Sequence, residues 1–436
     1  MKKFRMFRNV RIGLAVIVAG ICAAAWSGFF PETGRLLHVQ FGPAFLSLFA
    51  LFSAGAAATV ALIALLSFAF GRFYCSFLCP AGIWQDFSAW IFRRKNAETR
   101  NFKKTRYVMT GVVVGMLAGG SAAGFMFLDP YSNFGRAASS FSLGAAVPLV
   151  VLTVLAVWKR RMFCTTFCPV GTMLGLCAKK GVYRLSFNEK CVKCGLCAKS
   201  CPAGCMDPAS GKIDNERCVR CLNCLAVCRR DAVVFGREKN AGETDGNRRA
   251  FLTGAGVFTA AATCGFTLAK TGFSCFAAAV EKAILPPGAG DAGRFASRCT
   301  SCLLCVKNCP AKIIRPAKGG YGSVSLDLSS AECRYYCHKC SEVCPTGAIR
   351  PLSLEEKQSC QIARARIDKE KCVSCGLCAR TCPAGAIAFS PEQAGRTPPA
   401  VDGTLCIGCG ACSHACPVEA IDILPIEKQS FVKTGR

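Results

Sequence analysis

The 34 Cys of this 436-residue chain fall mostly into six tight groups of four, and no other feature constrains the fold as strongly. The groups are Cys191, Cys194, Cys197 and Cys201; Cys218, Cys221, Cys224 and Cys228; Cys299, Cys302, Cys305 and Cys309; Cys333, Cys337, Cys340 and Cys344; Cys372, Cys375, Cys378 and Cys382; and Cys406, Cys409, Cys412 and Cys416. Five of them read Cys-x2-Cys-x2-Cys-x3-Cys, and Pro follows the fourth Cys in five of the six. A disulfide scaffold of similar density belongs to short secreted chains, and this chain is several times too long.

Two residues between cysteines let three thiolates of one loop reach three corners of an iron–sulfur cubane, while backbone N–H groups turn toward its sulfides. The spacing is similar to that of bacterial two-cluster ferredoxins, in which the fourth ligand comes from the other half of the unit. Six [4Fe-4S] sites follow, held by Cys191, Cys194, Cys197 and Cys228; Cys218, Cys221, Cys224 and Cys201; Cys299, Cys302, Cys305 and Cys344; Cys333, Cys337, Cys340 and Cys309; Cys372, Cys375, Cys378 and Cys416; and Cys406, Cys409, Cys412 and Cys382. Zinc also accepts four thiolates, but tandem repetition with the trailing Pro favours clusters. Two departures stand out: Arg229 replaces the usual Pro, and Cys333-x3-Cys337 carries an extra residue before His338. A c-type haem attachment would have two residues before Cys-His, and Cys340 and Cys344 complete the ferredoxin pattern better.

The rest of the chain points to a membrane. Its formal charge of +28 invites a nucleic-acid reading, but 52% hydrophobic residues and long uncharged runs exclude one. Those runs are Ile12–Pro31, Leu36–Gly71, Tyr107–Leu128, Ala137–Trp158 and Ala250–Ala269, each long enough for a spanning helix of about 20 residues. The second run predicts one helix with loops, being too short for two helices and a turn. Residues 1–11 carry five Lys/Arg and no acid, residues 71–107 eight against two, and residues 159–249 eighteen against eight, whereas loops 32–35 and 129–136 carry one of each sign. The positive-inside rule then places the N-terminus in the cytoplasm, returns the chain there after four segments and sends the C-terminal third outside through a fifth. Asn247-Arg248-Arg249-Ala250-Phe251-Leu252 resembles a twin-arginine export signal, and Ala277-Ala278-Ala279 leaves cleavage open; uncut, the segment is a tether.

The expected architecture is an α-helical transmembrane bundle carrying three α+β two-cluster units. Residues 1–185 form the four-segment bundle, 186–238 a cytoplasmic ferredoxin unit and 239–280 the linker and fifth segment. Residues 281–351 and 352–436 form two periplasmic ferredoxin units.

A shorter repeat lies in the membrane part. Cys75-x3-Cys79-Pro80-x-Gly82 and Cys164-x3-Cys168-Pro169-x-Gly171 have cysteines 89 residues apart, in equivalent cytoplasmic places of two parallel halves. Their four thiols are candidates for a further Fe–S cluster, another metal, redox-active dithiols or plain packing.

With these motifs and the ferredoxin unit behind them, the membrane half resembles the NapH type of quinol dehydrogenase subunit. From Asn247 onward, with LPPGAGDAGRFASRCTSCLLCVKNCP, the chain resembles the partner NapG type. The resemblance implies a fusion of the two in the bacterial cytoplasmic membrane. It implies an oxidoreductase that takes electrons from (mena)quinol of the quinone pool and delivers them to a periplasmic reductase or cytochrome c, with a cytoplasmic donor as a further partner. Membrane polyferredoxins with the same Cys-x3-Cys-Pro motif also resemble copper reductases, so a metal-ion reductase or a redox sensor or maturation factor stands as the alternative. The chain lacks a Met- or His-rich copper segment.

Only His38, His338 and His414 are present, and one of them lies in the membrane part, so a b-type haem held by two His is excluded within the chain. Leu252-Thr253-Gly254-Ala255-Gly256 lacks the Asp and final Thr of a covalent flavin site. Quinol releases two electrons and two protons, whereas a cubane takes one electron, so the chain must handle protons. His38 and Asp129, at the membrane edge, are the candidates. Cys22, Cys177, Cys205, Cys264, Cys275 and Cys360 read as packing or spare thiols.

Overall fold

A computed structural model describes residues 2–27, 39–51, 54–92, 102–139, 143–179, 181–237, 247–272, 283–316, 324–389 and 398–432. Helix α1 (Lys2–Ser27) is, among the described residues, the one helix long and apolar enough to cross a membrane, over Met6–Trp26. The run Leu36–Gly71, expected as a single span, instead forms α2 (Phe41–Leu51) and α3 (Ala54–Phe70), which pack against each other. Gly55, at the start of α3, is a poor helix interior residue and suits a break there.

Helix α4 (Pro80–Ile91) opens with Pro at its first position, where no N–H is needed. The run Tyr107–Leu128 is likewise divided. Helix α5 (Lys103–Ala118) stops at Gly119-Gly120, Gly120 being left-handed at φ +88°, and α6 (Ala123–Leu128) follows. Residues 129–136, expected as an outer loop, mostly belong to α7 (Pro130–Ser139). The reason is a cap: the Asp129 carboxylate accepts from the Ser132 N–H and hydroxyl, both at 2.9 Å. Helix α8 (Leu143–Lys159) and α9 (Pro169–Lys179) complete this part. Apolar helices α3 and α8, of 17 residues, and α5, of 16, are shorter than the ~20 residues of a straight span; α10 has 26 residues, and among the described residues α1 alone is both long and apolar enough to cross a membrane.

The cysteine repeat proves to be a structural repeat. Helices α2, α3 and α4 start at 41, 54 and 80, and α7, α8 and α9 start 89 residues later, at 130, 143 and 169. The halves exchange partners, α3 packing on α9 and α8 on α4. Helix α10 (Asn247–Gly272), which opens with the twin-arginine-like sequence, lies along α5. Gly111, Gly115 and Gly119 form one face of α5. A methyl group at Gly115 would overlap the Ala262 carbonyl, one at Gly111 would sit 2.7 Å from the Phe258 carbonyl oxygen, and one at Gly119 would sit 2.6 Å from Ala269 Cβ. Small residues at this spacing let two helix backbones touch, the usual substitute for the hydrophobic effect between helices in lipid.

The cysteine-rich parts form small α+β units. In the first, β1 (Tyr183–Phe187) pairs antiparallel with β2 (Val233–Arg237). In the C-terminal part, β3 (Cys360–Ile367) pairs antiparallel with β4 (Ile421–Phe431). Gln429 on β4 reaches back to residues 285–290, donating to the Leu285 and Pro286 carbonyls and accepting from the Gly288 and Gly290 N–H groups. The 281–351 and 352–436 segments are thus stitched together.

These units dock at different levels of α1. The first lies near Arg11, which meets Asp86 at 3.3 Å, with Asp86 within electrostatic reach of Cys221. The second covers the far end, where Cys22 and Trp26 pack with Leu304 and Val343. Fifteen residues separate Arg11 from Trp26, about 22 Å of helix. Gly115→Val should lower the unfolding midpoint of the detergent-extracted protein, overpacking costing about 1–3 kcal/mol. Gly256→Ala, in open space inside α10, should leave the midpoint unchanged or raise it.

Candidate functional site

Five of the six cysteine loops share one backbone device. Two residues of each loop are left-handed: Lys193 and Gly195, Arg220 and Leu222, Ser301 and Leu303, Ser374 and Gly376, and Gly408 and Gly410, with φ between 52° and 89°. Left-handed residues alternating with right-handed ones turn successive N–H groups to one side, forming an anion-binding hollow. For Lys, Arg, Leu and Ser this conformation costs roughly 1–2 kcal/mol each, so it marks a required geometry. The sixth loop, with its extra residue between Cys333 and Cys337, has no left-handed residue; His338 there has φ −129° and pairs with Glu342 at 2.9 Å.

The structure brings the expected thiols together. Cys191, Cys194, Cys197 and Cys228 line one cavity, Cys201, Cys218, Cys221 and Cys224 a second, and Cys382, Cys406, Cys409 and Cys412 a third. Cys302 and Cys305 lie within electrostatic reach of Cys299 and Cys344. Cys340 faces Cys333, Cys337 and Cys309, and Cys378 faces Cys372 and Cys375. Cys416 packs in the same hydrophobic cluster as Cys378. Cys228, Cys382 and Cys416 each accept the N–H of the residue four further on, at 3.2–3.3 Å, and Cys344 that of Ile349 at 3.3 Å. Such bonds favour the thiolate.

Sequence reading missed several residues here. Cys205, read as spare, stands four residues after Cys201, where Ala232, Ala386 and Ala420 stand in the other units; its Sγ is 3.4 Å from that of Cys201. A hydrogen bond from Cys205 holds the Cys218 thiol below the ordinary thiol value. That offset from the fourth cysteine was the available signal. Lys357 is buried and donates to the Arg334 and Tyr335 carbonyls beneath the sixth loop, between Cys333 and Cys409. The Cys333 N–H donates to the Cys409 carbonyl at 2.8 Å, joining the loops of the two outer units.

In the bundle, Cys75, Cys79, Cys164 and Cys168 are all buried, and Cys79 lies within electrostatic reach of the other three. Arg72 Nη2 donates to the Cys164 carbonyl at 2.7 Å, and Arg161 Nη1 to the Cys75 carbonyl at 2.6 Å, so each half grips the cysteine loop of the other. At the other end Asp129 is buried under α7, and desolvation pushes its carboxyl up to about 6. His38 and Cys275 lie outside the described residues, as do the side chains of Arg248 and Arg249.

Comparison with known proteins gives these thiols a chemistry. A 4Fe-4S binding domain model matches residues 46–96 and 141–188, and another matches 188–204. Models of 4Fe-4S dicluster domains match residues 298–348, 332–386 and 365–423. The methylamine utilization ferredoxin-type protein MauN of Methylorubrum extorquens is 31% identical over 210 residues, 44% of this chain and 71% of that protein. The ferredoxin-type protein NapF of Escherichia coli K12 is 33% identical over 138 residues, covering 24% and 82%. The chain belongs to the ferredoxin-type 4Fe-4S proteins. Ferredoxin-type protein NapH of the same organism is 28% identical over 186 residues, covering 39% of this chain and 64% of NapH. The chain spans from about half to about four-fifths of the length of the relatives it matches, 48% of a second MauN and 82% of NapF. The relatives place the chain among ferredoxin-type proteins of the Nap and Mau kind; they do not reach the NapH–NapG fusion.

The left-handed loops, converging thiols and N–H···S bonds fit 4Fe-4S clusters, which supply one-electron carriers when bound. Since hydrogen bonds and nearby charge set cluster potentials, Lys357→Met should lower the midpoint of the clusters beside Cys333 and Cys409, and Lys357→Arg should largely restore it. Redox titration followed by EPR reads both.

Proposed function

We propose that the protein is a membrane-bound iron–sulfur oxidoreductase that oxidises (mena)quinol and passes the electrons through six 4Fe-4S clusters to a periplasmic redox partner. One observation carries the reading: cysteine-rich units sit at two levels, about 22 Å apart, of α1, the one helix among the described residues that is both long and apolar enough to span. In this reading the N-terminus and the first unit are cytoplasmic, and residues 281–436 face the periplasm.

The chain's own residues supply what quinol chemistry asks beyond electron carriers. As two clusters each take one electron, the carboxylate of Asp129 receives one of the two quinol protons and the other leaves to solvent. It caps α7, and the same helix carries Arg136, which donates to the Thr300 carbonyl at 3.1 Å, and Gly135, packed against the Cys302 backbone. A proton acceptor and a cysteine loop of the second unit thus share one rigid element. Burial keeps water from the carboxyl and holds its proton affinity near that of a usable base. From the second unit, the Cys333–Cys409 hydrogen bond links the two outer units toward the C-terminal end.

A reduced quinol analogue added to the oxidised, detergent-extracted protein should re-reduce its clusters, read by absorbance and EPR; no re-reduction would refute the proposal. Iron should be at least about 24 atoms per chain. Because the Asp129 carboxyl is held up to about 6, its basic form appears as pH rises through that value, and the re-reduction rate should rise with it. Asp129→Asn should slow the step by about 100-fold, flatten this rise and leave the iron content unchanged.

A further inference from the structure

We infer that Cys75, Cys79, Cys164 and Cys168 together hold one further 4Fe-4S cluster, shared across the two halves of the helical bundle. Each half supplies two thiols, so neither completes a cluster alone, and the halves are locked in the register that brings all four together by the Arg72–Cys164 and Arg161–Cys75 bonds. Donors already point at the sulfurs. The Gly171 N–H lies 3.4 Å from Cys168 Sγ, Gln85 Nε2 lies 2.9 Å from Cys164 Sγ, and Arg72 Nη2 lies 3.8 Å from Cys75 Sγ. The cradle also needs its glycines, because a methyl group at Gly82 or Gly171 would strike the guanidinium of Arg161 or Arg72.

Charge bears on the readings left open by the sequence. Arg11, Arg72 and Arg161 are buried here, and the only carboxylate they touch among the described residues is Asp86, which meets Arg11 and Arg161. Arg72 bonds to the Glu216 and Cys164 carbonyls and Cys75 Sγ, and its Nε has no hydrogen-bond partner among the described residues. Arg72 also faces Cys218 and Arg161 faces Cys221, so the thiolates of the first ferredoxin unit share these guanidinium groups, and a strongly positive surround of this kind suits an anionic ligand set at the bundle thiols as well. Four neutral thiols, or two disulfides, bring no charge. An oxidised cubane with four thiolates brings about −2. The site adjoins the first ferredoxin unit directly, Ser76 Oγ donating at 2.7 Å to the carbonyl of Val219, the neighbour of Cys218.

The test is iron and acid-labile sulfide in the anaerobically purified full-length protein, beside its Cys75→Ser/Cys164→Ser variant. The expected result is about 28 iron atoms per chain in the parent and a loss of about four in the variant. An unchanged iron count in the variant, or the loss of a single metal ion, would overturn the inference. Should the variant fail to fold, the parent decides by itself, about 24 iron atoms counting against the seventh cluster and about 28 for it. Because this readout is metal content, it stands or falls separately from quinol oxidation.

Discussion

Buried guanidinium groups hold the parts of this molecule in register. Arg72, Arg106, Arg136 and Arg161 are the largest fully buried side chains among the described residues, and each crosses a boundary. Arg72 and Arg161 join the two halves of the bundle, Arg106 pairs with Glu216 of the first ferredoxin unit, and Arg136 reaches the Thr300 carbonyl of the second. A guanidinium out of water must direct its fork of donors at protein acceptors, and most of those acceptors are backbone carbonyls at loop ends. Their positions fix where each cysteine loop stands. Replacing one such arginine removes a geometric constraint as well as a charge.

These arginines also alter the meaning of the charge pattern. Counted along the chain, Arg72, Arg106 and Arg161 add to the basic excess taken as the cytoplasmic signature, yet none has its side chain in solvent. Helix lengths shift for a related reason. Hydropathy sees an uncharged run, but it does not see the Gly119-Gly120 stop or the Asp129 cap, which turn two apparent spans and a loop into shorter helices. The bundle is consequently a pseudo-symmetric pair of exchanged halves with α10 laid in a glycine groove.

The cysteine-rich units were far more legible, because ligand spacing is a local property. A Cys-x2-Cys-x2-Cys loop can present three thiolates only by turning left-handed twice, and five loops do so even where the residues are Lys, Arg, Ser or Leu. The sixth loop announced its departure through the extra residue before His338. Its support by Lys357, and its bond to the Cys409 carbonyl, come from segments far along the chain and left no local mark. Cys205 is intermediate: its offset from Cys201 matched a position held by Ala elsewhere, visible once the units are aligned.

By itself the sequence determined the six thiol groups, the 89-residue repeat of the Cys-x3-Cys-Pro motif and the apolar run of α1, because spacing and hydropathy are properties of the residues themselves. Only the tertiary structure decided which levels of α1 carry the ferredoxin units, that the two Cys-x3-Cys-Pro motifs meet, and that Arg72 and Arg161 each reach across to the other motif's loop. Those outcomes rest on buried donors finding carbonyls and carboxylates many residues away. Such pairings follow from packing the whole chain at once, and no window of sequence contains them.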